Sequence, residues 1–329
     1  MKKKITALLL AAVMMVAAFM GCGKAEGKAE EPKETGKAPI DVNIMALKGP
    51  TAMGLVEMIE NSDYNFSIAA SVDEVSPKLL QGGTDIAAIP ANLALYNKTE
   101  GDIQVLAINT LGVLYIVENG ETIQSAADLK GKTIYASGKG ATPEYALNYI
   151  LSSNGINPET DVTIEWKSEH SECVAALASQ ENAVAMLPQP FVTTAQTKNP
   201  EIRTALDLTK EWDALQEGEE KKSSMITGVV VVRKEFAEEN PEEIQEFLKE
   251  YHTSVDYVNE NVTDAAQLIE KYDIVPAAVV EKALPACNIV CIDGEEMEEK
   301  LSGYLEVLKA QNPQAVGGEV PNHDFYYIQ

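Results

Sequence analysis

The hydrophobic pattern of this chain switches repeatedly between the two periods of regular structure. Val42 to Leu47 is an apolar, β-branched run that predicts a strand, and Thr51 to Ile59 then carries apolar residues at helical spacing. A strand over Tyr64 to Ala70, a helical turn over Ser76 to Leu80 and a strand over Asp85 to Ile89 follow. Val105 to Asn109 and Leu114 to Val117 predict further strands. Such alternation implies an α/β chain: a mostly parallel sheet with helices on its faces.

A second series starts at Lys132 and lies over the first. Ile44-Met-Ala-Leu-Lys-Gly-Pro-Thr51 matches Tyr135-Ala-Ser-Gly-Lys-Gly-Ala-Thr142 at an offset of 91, with Lys-Gly-x-Thr in both. Asn65 to Ile68 matches Asp161 to Ile164 at 96, and Leu79 to Leu93 matches Leu177 to Phe191 at 98. In the last pair an apolar strand ends on a proline both times, Pro90 and Pro188. Any one match is weak, because short apolar runs align by chance. Three in the same order describe two similar α/β lobes. Beyond them an acidic loop is expected over Glu211 to Lys222, then a buried strand over Met225 to Val232. Helices are expected over Glu242 to Asn259, Thr263 to Tyr272, Ala277 to Leu284 and Glu295 to Lys309.

The N-terminus changes the picture of where the protein works. Lys2 to Lys4 precede an apolar run from Ile5 to Met20, then Gly21-Cys22. The run is about 16 residues long, short of the roughly 20 that a membrane helix needs. This is the build of a secretory signal over residues 1–21. Cys22 after a small residue at its end resembles the lipobox of bacterial lipoproteins, which implies lipidation of Cys22. A cleaved signal with an incidental cysteine is the alternative. Residues 22–39 carry Lys, Glu, Gly, Ala and Pro but hardly any large apolar side chain, so they are expected to form a flexible tether.

Charge and cysteine narrow the class. The formal net charge of −25 argues against nucleic acid, which requires a basic face. It leaves the ligand open, since a local site can oppose the global charge. Besides Cys22 there are Cys173, Cys287 and Cys291, so no complete disulfide framework exists. A Cys287–Cys291 bridge and two free thiols both fit.

With these residues in view the chain resembles the solute-binding lipoproteins of ABC importers, in the branch for nitrate, sulfonate, taurine and thiamine-precursor pyrimidines. The resemblance rests on Leu79-Leu-Gln-Gly-Gly-Thr-Asp-Ile-Ala87, the partner run Val174 to Ala195, and Asp128-Leu-Lys-Gly-Lys-Thr-Ile134. It implies the two-lobed type II periplasmic-binding fold, with the second lobe inserted in the first. Lobe I is then 40–125 with 225–329, and lobe II is 129–222. It also implies a small-molecule ligand, an ABC permease and its ATPase as partners, a lipid anchor in the cell membrane, an extracytoplasmic monomer and no cofactor.

In open parallel sheets ligands sit beyond the carboxyl ends of the strands, so the repeat marks paired loops across a cleft. The candidates are Lys48, Gly49, Pro50 and Thr51 in one lobe, and Gly138, Lys139, Gly140 and Thr142 in the other. Helix starts there would offer backbone N–H groups to an anion, and glycine allows close approach. A plain turn with a solvated lysine is the competing reading for Gly138-Lys139-Gly140. Asn92, Asn109 and Gln189 bring amides to strand ends, although Asn92 equally suits helix capping and Gln189 suits it less well. His170 is a candidate polar contact. With Cys173 it lacks the four ligands of a structural metal site, so no metal is expected. Only Arg203 and Arg233 occur in the chain, which argues against an arginine clamp and leaves a neutral ligand open beside a small anion. No motif for nucleophilic or metal catalysis appears, so a receptor is expected rather than an enzyme. A surface sensor or adhesin on the same fold is the other reading.

Overall fold

The computed structural model describes residues 41–100, 102–217 and 223–328; the expected signal, Cys22 and the tether lie outside them. Among the described residues eleven strands form two sheets. The strands are β1 (Asn43–Leu47), β2 (Asn65–Ala69), β3 (Ile86–Pro90), β4 (Ile103–Leu111), β5 (Leu114–Glu118) and β6 (Thr133–Ser137). Then come β7 (Thr163–Lys167), β8 (Val184–Pro188), β9 (Arg203–Asp207), β10 (Ile226–Arg233) and β11 (Ile289–Asp293). The six-stranded sheet runs β11-β4-β10-β3-β1-β2 and the five-stranded sheet β7-β6-β8-β5-β9. Strands of the second sheet all lie between those of the first in the chain, so the second lobe is inserted in the first.

Burial follows strand position. β10 lies mid-sheet with helices on both sides, and Val229 to Val232 are fully buried, which is why it reads as an unbroken apolar run. β2 is an edge strand and alternates exposed with half-buried positions. The same logic hides two strands from the apolar pattern: β9 and β11 are both edge strands whose residues are mostly half-buried or exposed.

The internal repeat is real in topology and shifted in register. β2-β1-β3-β10-β4 and β7-β6-β8-β5-β9 have the same order, with the first three parallel and the fourth antiparallel to the third. Ile44 pairs with Ile86 where Ile134 pairs with Val184, so Ile44 corresponds to Ile134, not to Tyr135. The loop after β6 is longer than the loop after β1, and aligning Lys-Gly-x-Thr displaced the strand by one residue. One residue reverses which face a side chain takes, so only the 98-residue offset carries over intact.

Two other expectations change, and one left open is decided. The helix expected over Thr51 to Ile59 is two short helices, Pro50–Met53 and Val56–Asn61. It breaks where the Gly54 carbonyl accepts from the Ser254 hydroxyl at 2.7 Å, and where an added Cβ would lie 2.9 Å from the Tyr251 hydroxyl. The acidic stretch after Glu211 is helical at first, in Leu208–Leu215. Asp207 starts that helix by accepting from the backbone N–H groups of Thr209 and Lys210. Cys287 and Cys291 are unbridged, and burial pushes the Cys287 thiol up to about 12.

The chain crosses between sheets twice, at Gly112-Val113 and before Ile226. A Cβ on Gly112 would come within 2.2 Å of both Met225 Cε and Thr209 Oγ1, so the crossings touch through a missing side chain. Among the described residues no helix is long and apolar enough to cross a membrane.

Candidate functional site

Between the two sheets, at the carboxyl ends of the parallel strands, lies a cavity of about 170 Å³. Larger hollows exist: those around His252 or Arg233 are lined by the first lobe alone, and one along Asn148 to Glu159 is a shallow surface of the second lobe that only Gln311 of the first lobe borders. The interlobe cavity has a near-symmetric floor. Pro90 and Pro188 end the equivalent strands β3 and β8; Thr227, within β10, and Val113, just before β5, each precede the residue that pairs with that proline, Gly228 and Leu114. Leu114 completes the floor.

The walls are not symmetric. Ala141, Thr142, Pro143 and His170 all come from the second lobe, whereas the first lobe adds Asn92 at the exposed mouth. The longer loop after β6 accounts for the difference, since its counterpart after β1 is absent from the lining.

Among the expected residues, then, Asn92, Thr142 and His170 line the cavity. The others are placed elsewhere, each for a visible reason. Lys48 pairs with Asp273 at 3.0 Å on the exterior, and Gly49 and Pro50 merely start the short helix after it. Thr51 is buried and its hydroxyl donates to the Leu47 carbonyl at 2.7 Å. Asn109 is buried too: its amide donates to the Thr51 carbonyl at 3.2 Å and accepts from the Thr110 hydroxyl at 3.0 Å. Gln189 caps its own helix, accepting from the Thr193 hydroxyl at 3.0 Å and the Thr193 N–H at 3.3 Å.

The glycine loop serves its own helix. Gly138 and Gly140 both have positive φ, 87° and 78°, which glycine adopts without strain. The Gly140 N–H donates to Glu144 Oε2 at 2.6 Å, so a carboxylate of this chain already occupies the place expected for an anion. Lys139 is exposed and does not line the cavity.

His170 is the most constrained polar group in the site. It opens the helix His170–Ser179, its Nδ1 lies 2.6 Å from Ser137 Oγ, and its ring centroid is 4.9 Å from that of Phe191. Burial holds its pKa below the usual histidine range. The ring thus spends Nδ1 on Ser137 while His170 lines the cavity. Ser137, Phe191, Val113, Leu114 and Thr227 are not among the sequence candidates. The floor residues were findable, because each adjoins a crossing between lobes; Ser137 carried no local signal. Among the described residues no group of three or more His, Cys, Asp and Glu could hold a metal ion.

The lowered pKa has a signed consequence. The unfolded ring binds protons below about 6.5, before the folded ring does. The stability His170 contributes is present above that pH and is lost as pH falls toward the lowered folded value. Urea unfolding at pH 7.5 and 5.5 is expected to show a smaller pH loss in His170→Gln than in the parent. Equal losses would mean the ring titrates as an exposed one.

A family model described as "ABC transporter, phosphonate, periplasmic substrate-binding protein" matches residues 59–281. No curated protein matches the sequence. Among solved structures, an ABC transporter protein from Parabacteroides distasonis is 22% identical, covering 87% of this chain and 98% of its own, with a TM-score of 0.71. The periplasmic aliphatic sulphonate binding protein SsuA from Escherichia coli is 16% identical, covering 88% and 92%, with a TM-score of 0.68. The periplasmic nitrate-binding protein NrtA from Synechocystis PCC 6803 is 14% identical, covering 87% and 83%, at 0.57. At such identities the likeness is one of fold.

Proposed function

The chain belongs to the phosphonate-binding family of ABC-transporter periplasmic substrate-binding proteins, and from that premise we propose that it captures its solute in the cavity between Pro90 and Pro188. As a member it is the extracytoplasmic binding component of an importer, handing a small molecule to a permease driven by its ATPase.

One observation carries the choice of site: the cavity is lined from both lobes, where the ends of equivalent strands meet. Hydrogen bonds also join the lobes: the Tyr115 hydroxyl donates to the Ala286 carbonyl at 2.9 Å, and the Asn312 amide donates to the Tyr145 hydroxyl at 3.2 Å. A ligand touching both lobes favours a closed arrangement over an open one by its differential affinity. The lobes are taken as 40–111 with 225–329, and 113–222, because the crossing at Gly112-Val113 puts β5 in the second sheet and moves the boundary expected at residue 125.

Binding alone is the proposed activity. The Ser137–His170 pair is the only arrangement that suggests a nucleophile and base in the site. However, Ser137 is buried, and the ring rather than the hydroxyl lines the cavity. The serine thus orients the ring and does not face a substrate. We further take the mature protein to be a monomer held to the membrane by lipid on Cys22, with 23–39 as its tether.

The test uses whatever molecule is released on denaturing the purified protein, identified by mass spectrometry and added back. It is expected to raise the melting temperature in proportion to its occupancy. Ala141→Trp places an indole in the cavity from a residue whose extended backbone accepts it. It is expected to weaken binding at least about 100-fold, about 2.7 kcal/mol, without lowering unliganded stability. Unaltered binding in that variant would move the site elsewhere.

A further inference from the structure

We propose that Tyr304 couples an occupied cavity to lobe closure: from the first lobe its hydroxyl donates to the Thr142 hydroxyl in the second lobe's cavity wall, once Thr142 donates to a solute. This inference rests on the capture reading above and adds a positioning residue that does not itself touch the solute.

The observation behind it is a buried hydroxyl with nothing to bond. Among the described residues four buried side-chain hydroxyls have no hydrogen-bond partner, those of Thr209, Tyr251, Tyr304 and Tyr326. A buried donor without a partner is costly. Tyr251 lies inside the first lobe beside Gly54, and Thr209 stands at the crossing beside Gly112. Tyr326 pairs with Val105 of β4. Tyr304 differs from these, because it meets a residue of the other lobe that lines the cavity.

Its placement follows from the helices around it. Tyr304 sits in the helix Gly294–Gln311, which packs on β4 and β11 of its own lobe and also on the helix Thr142–Ser153 of the other. Thr142 opens that second helix, and Tyr145, one turn on, accepts from Asn312. The same face of the helix therefore meets the first lobe at both positions. The Tyr304 ring is fully buried with its centroid 5.6 Å from that of Trp212, which fixes where the hydroxyl points. Burial raises the Tyr304 pKa and the neighbouring Thr142 side chain works against that rise, so the two hydroxyls are close. They nevertheless fall short of hydrogen-bond geometry.

Chemistry gives the order of events. A threonine hydroxyl has one proton to donate and two lone pairs. When that proton goes to an oxygen of the solute, the lone pairs remain for Tyr304, whose own proton has no other taker. A hydroxyl that accepts becomes a stronger donor, so each bond strengthens the other. The solute thereby tightens an interlobe contact that it does not touch, and the closed arrangement gains over an open one.

Calorimetric titration of the full-length protein tests this. The probes are methylphosphonate, ethylphosphonate, methanesulfonate and the molecule released from the purified parent. For the probe that binds the parent most tightly, Tyr304→Phe is expected to weaken binding about 5-fold. Its unliganded melting temperature is expected to stay level or rise, because the deleted hydroxyl was bonded to nothing. Thr142→Val is expected to weaken binding at least as much, and the double variant no further than Thr142→Val alone. Parent affinity in Tyr304→Phe overturns the coupling and leaves capture intact, and so do losses that multiply in the double variant. Weaker binding accompanied by a melting temperature lowered by several degrees gives the hydroxyl a structural role and overturns the coupling too. If no probe binds the parent, capture itself falls, and the coupling with it.

Discussion

Replacing Trp212 by alanine is expected to lower the unfolding free energy by about 3–5 kcal/mol, the range for deleting a fully buried large aromatic. Trp212 is completely buried, with its ring centroid 4.4 Å from that of Tyr149 and 5.6 Å from that of Tyr304. Tyr304 belongs to the first lobe and Tyr149 to the second, so one side chain braces both. Its indole N–H donates to the Ser223 hydroxyl at 2.9 Å, which ties it to the returning crossing segment. Ser223 in turn donates its backbone N–H to Gln216, whose amide donates to the Tyr149 hydroxyl at 2.6 Å. Trp212→Phe keeps most of the packing and loses the N–H, so it is expected to cost less, about 1–2 kcal/mol. Urea unfolding of the two variants checks the order. A loss below about 1 kcal/mol for the alanine variant would show that the neighbouring rings close over the space.

Arg203→Met is the second large effect, expected at about 3–5 kcal/mol, because it strands a buried charge. The Glu118 side chain is fully buried, and Arg203 binds it while donating from Nε to the Gly120 carbonyl at 3.1 Å. The carboxylate also accepts from the Thr122 N–H and hydroxyl, both at 3.0 Å, and from the Ile123 N–H at 3.1 Å. Burial by itself would raise the pKa of Glu118, but the bonds from Ile123, Thr122 and Arg203 outweigh it and hold it below the usual range. The sign follows from that depression. The unfolded carboxyl takes up its proton first, so this stability is present above about pH 4.5 and is lost as pH falls through the folded value.

Without Arg203 the folded pKa rises, and the gap between parent and variant is expected to narrow from pH 7 to pH 4. Adding Glu118→Gln to Arg203→Met is expected to recover part of the loss at pH 7, since the stranded charge is gone. A gap that stays constant with pH would assign the loss to packing of the arginine stem instead.

Much of the fold is legible because hydrophobic periodicity is a local property. Val229 to Val232 announce a strand buried on both faces, and the segments ending at Pro90 and Pro188 announce equivalent strands. β9 and β11 escape because edge strands need no apolar run. The helix Leu208–Leu215 escapes because it runs into the acidic stretch from Glu211 one turn after its start signal, Asp207.

The candidate site is less legible, since a polar residue's role depends on what its hydrogen-bonding atoms find. Thr142 and His170 face the cavity, while Thr51, the counterpart of Thr142 in the first lobe, turns its hydroxyl to a carbonyl four residues back. Two loops with the same Lys-Gly-x-Thr pattern therefore differ in exposure, because one is longer than the other.

The sequence by itself determined that there are two α/β lobes, that their strands repeat in one order, and that strand ends carry Asn92, Thr142 and His170. Only the tertiary structure decided which of these line a common cavity and how little charge is left there. Lys48 finds Asp273 and Arg203 finds Glu118 from far along the chain. Apolar spacing acts between near neighbours and can be read along one strand or helix. The pairing of a buried polar group is chosen by whichever partner folding brings within about 3 Å, and no local pattern encodes that partner.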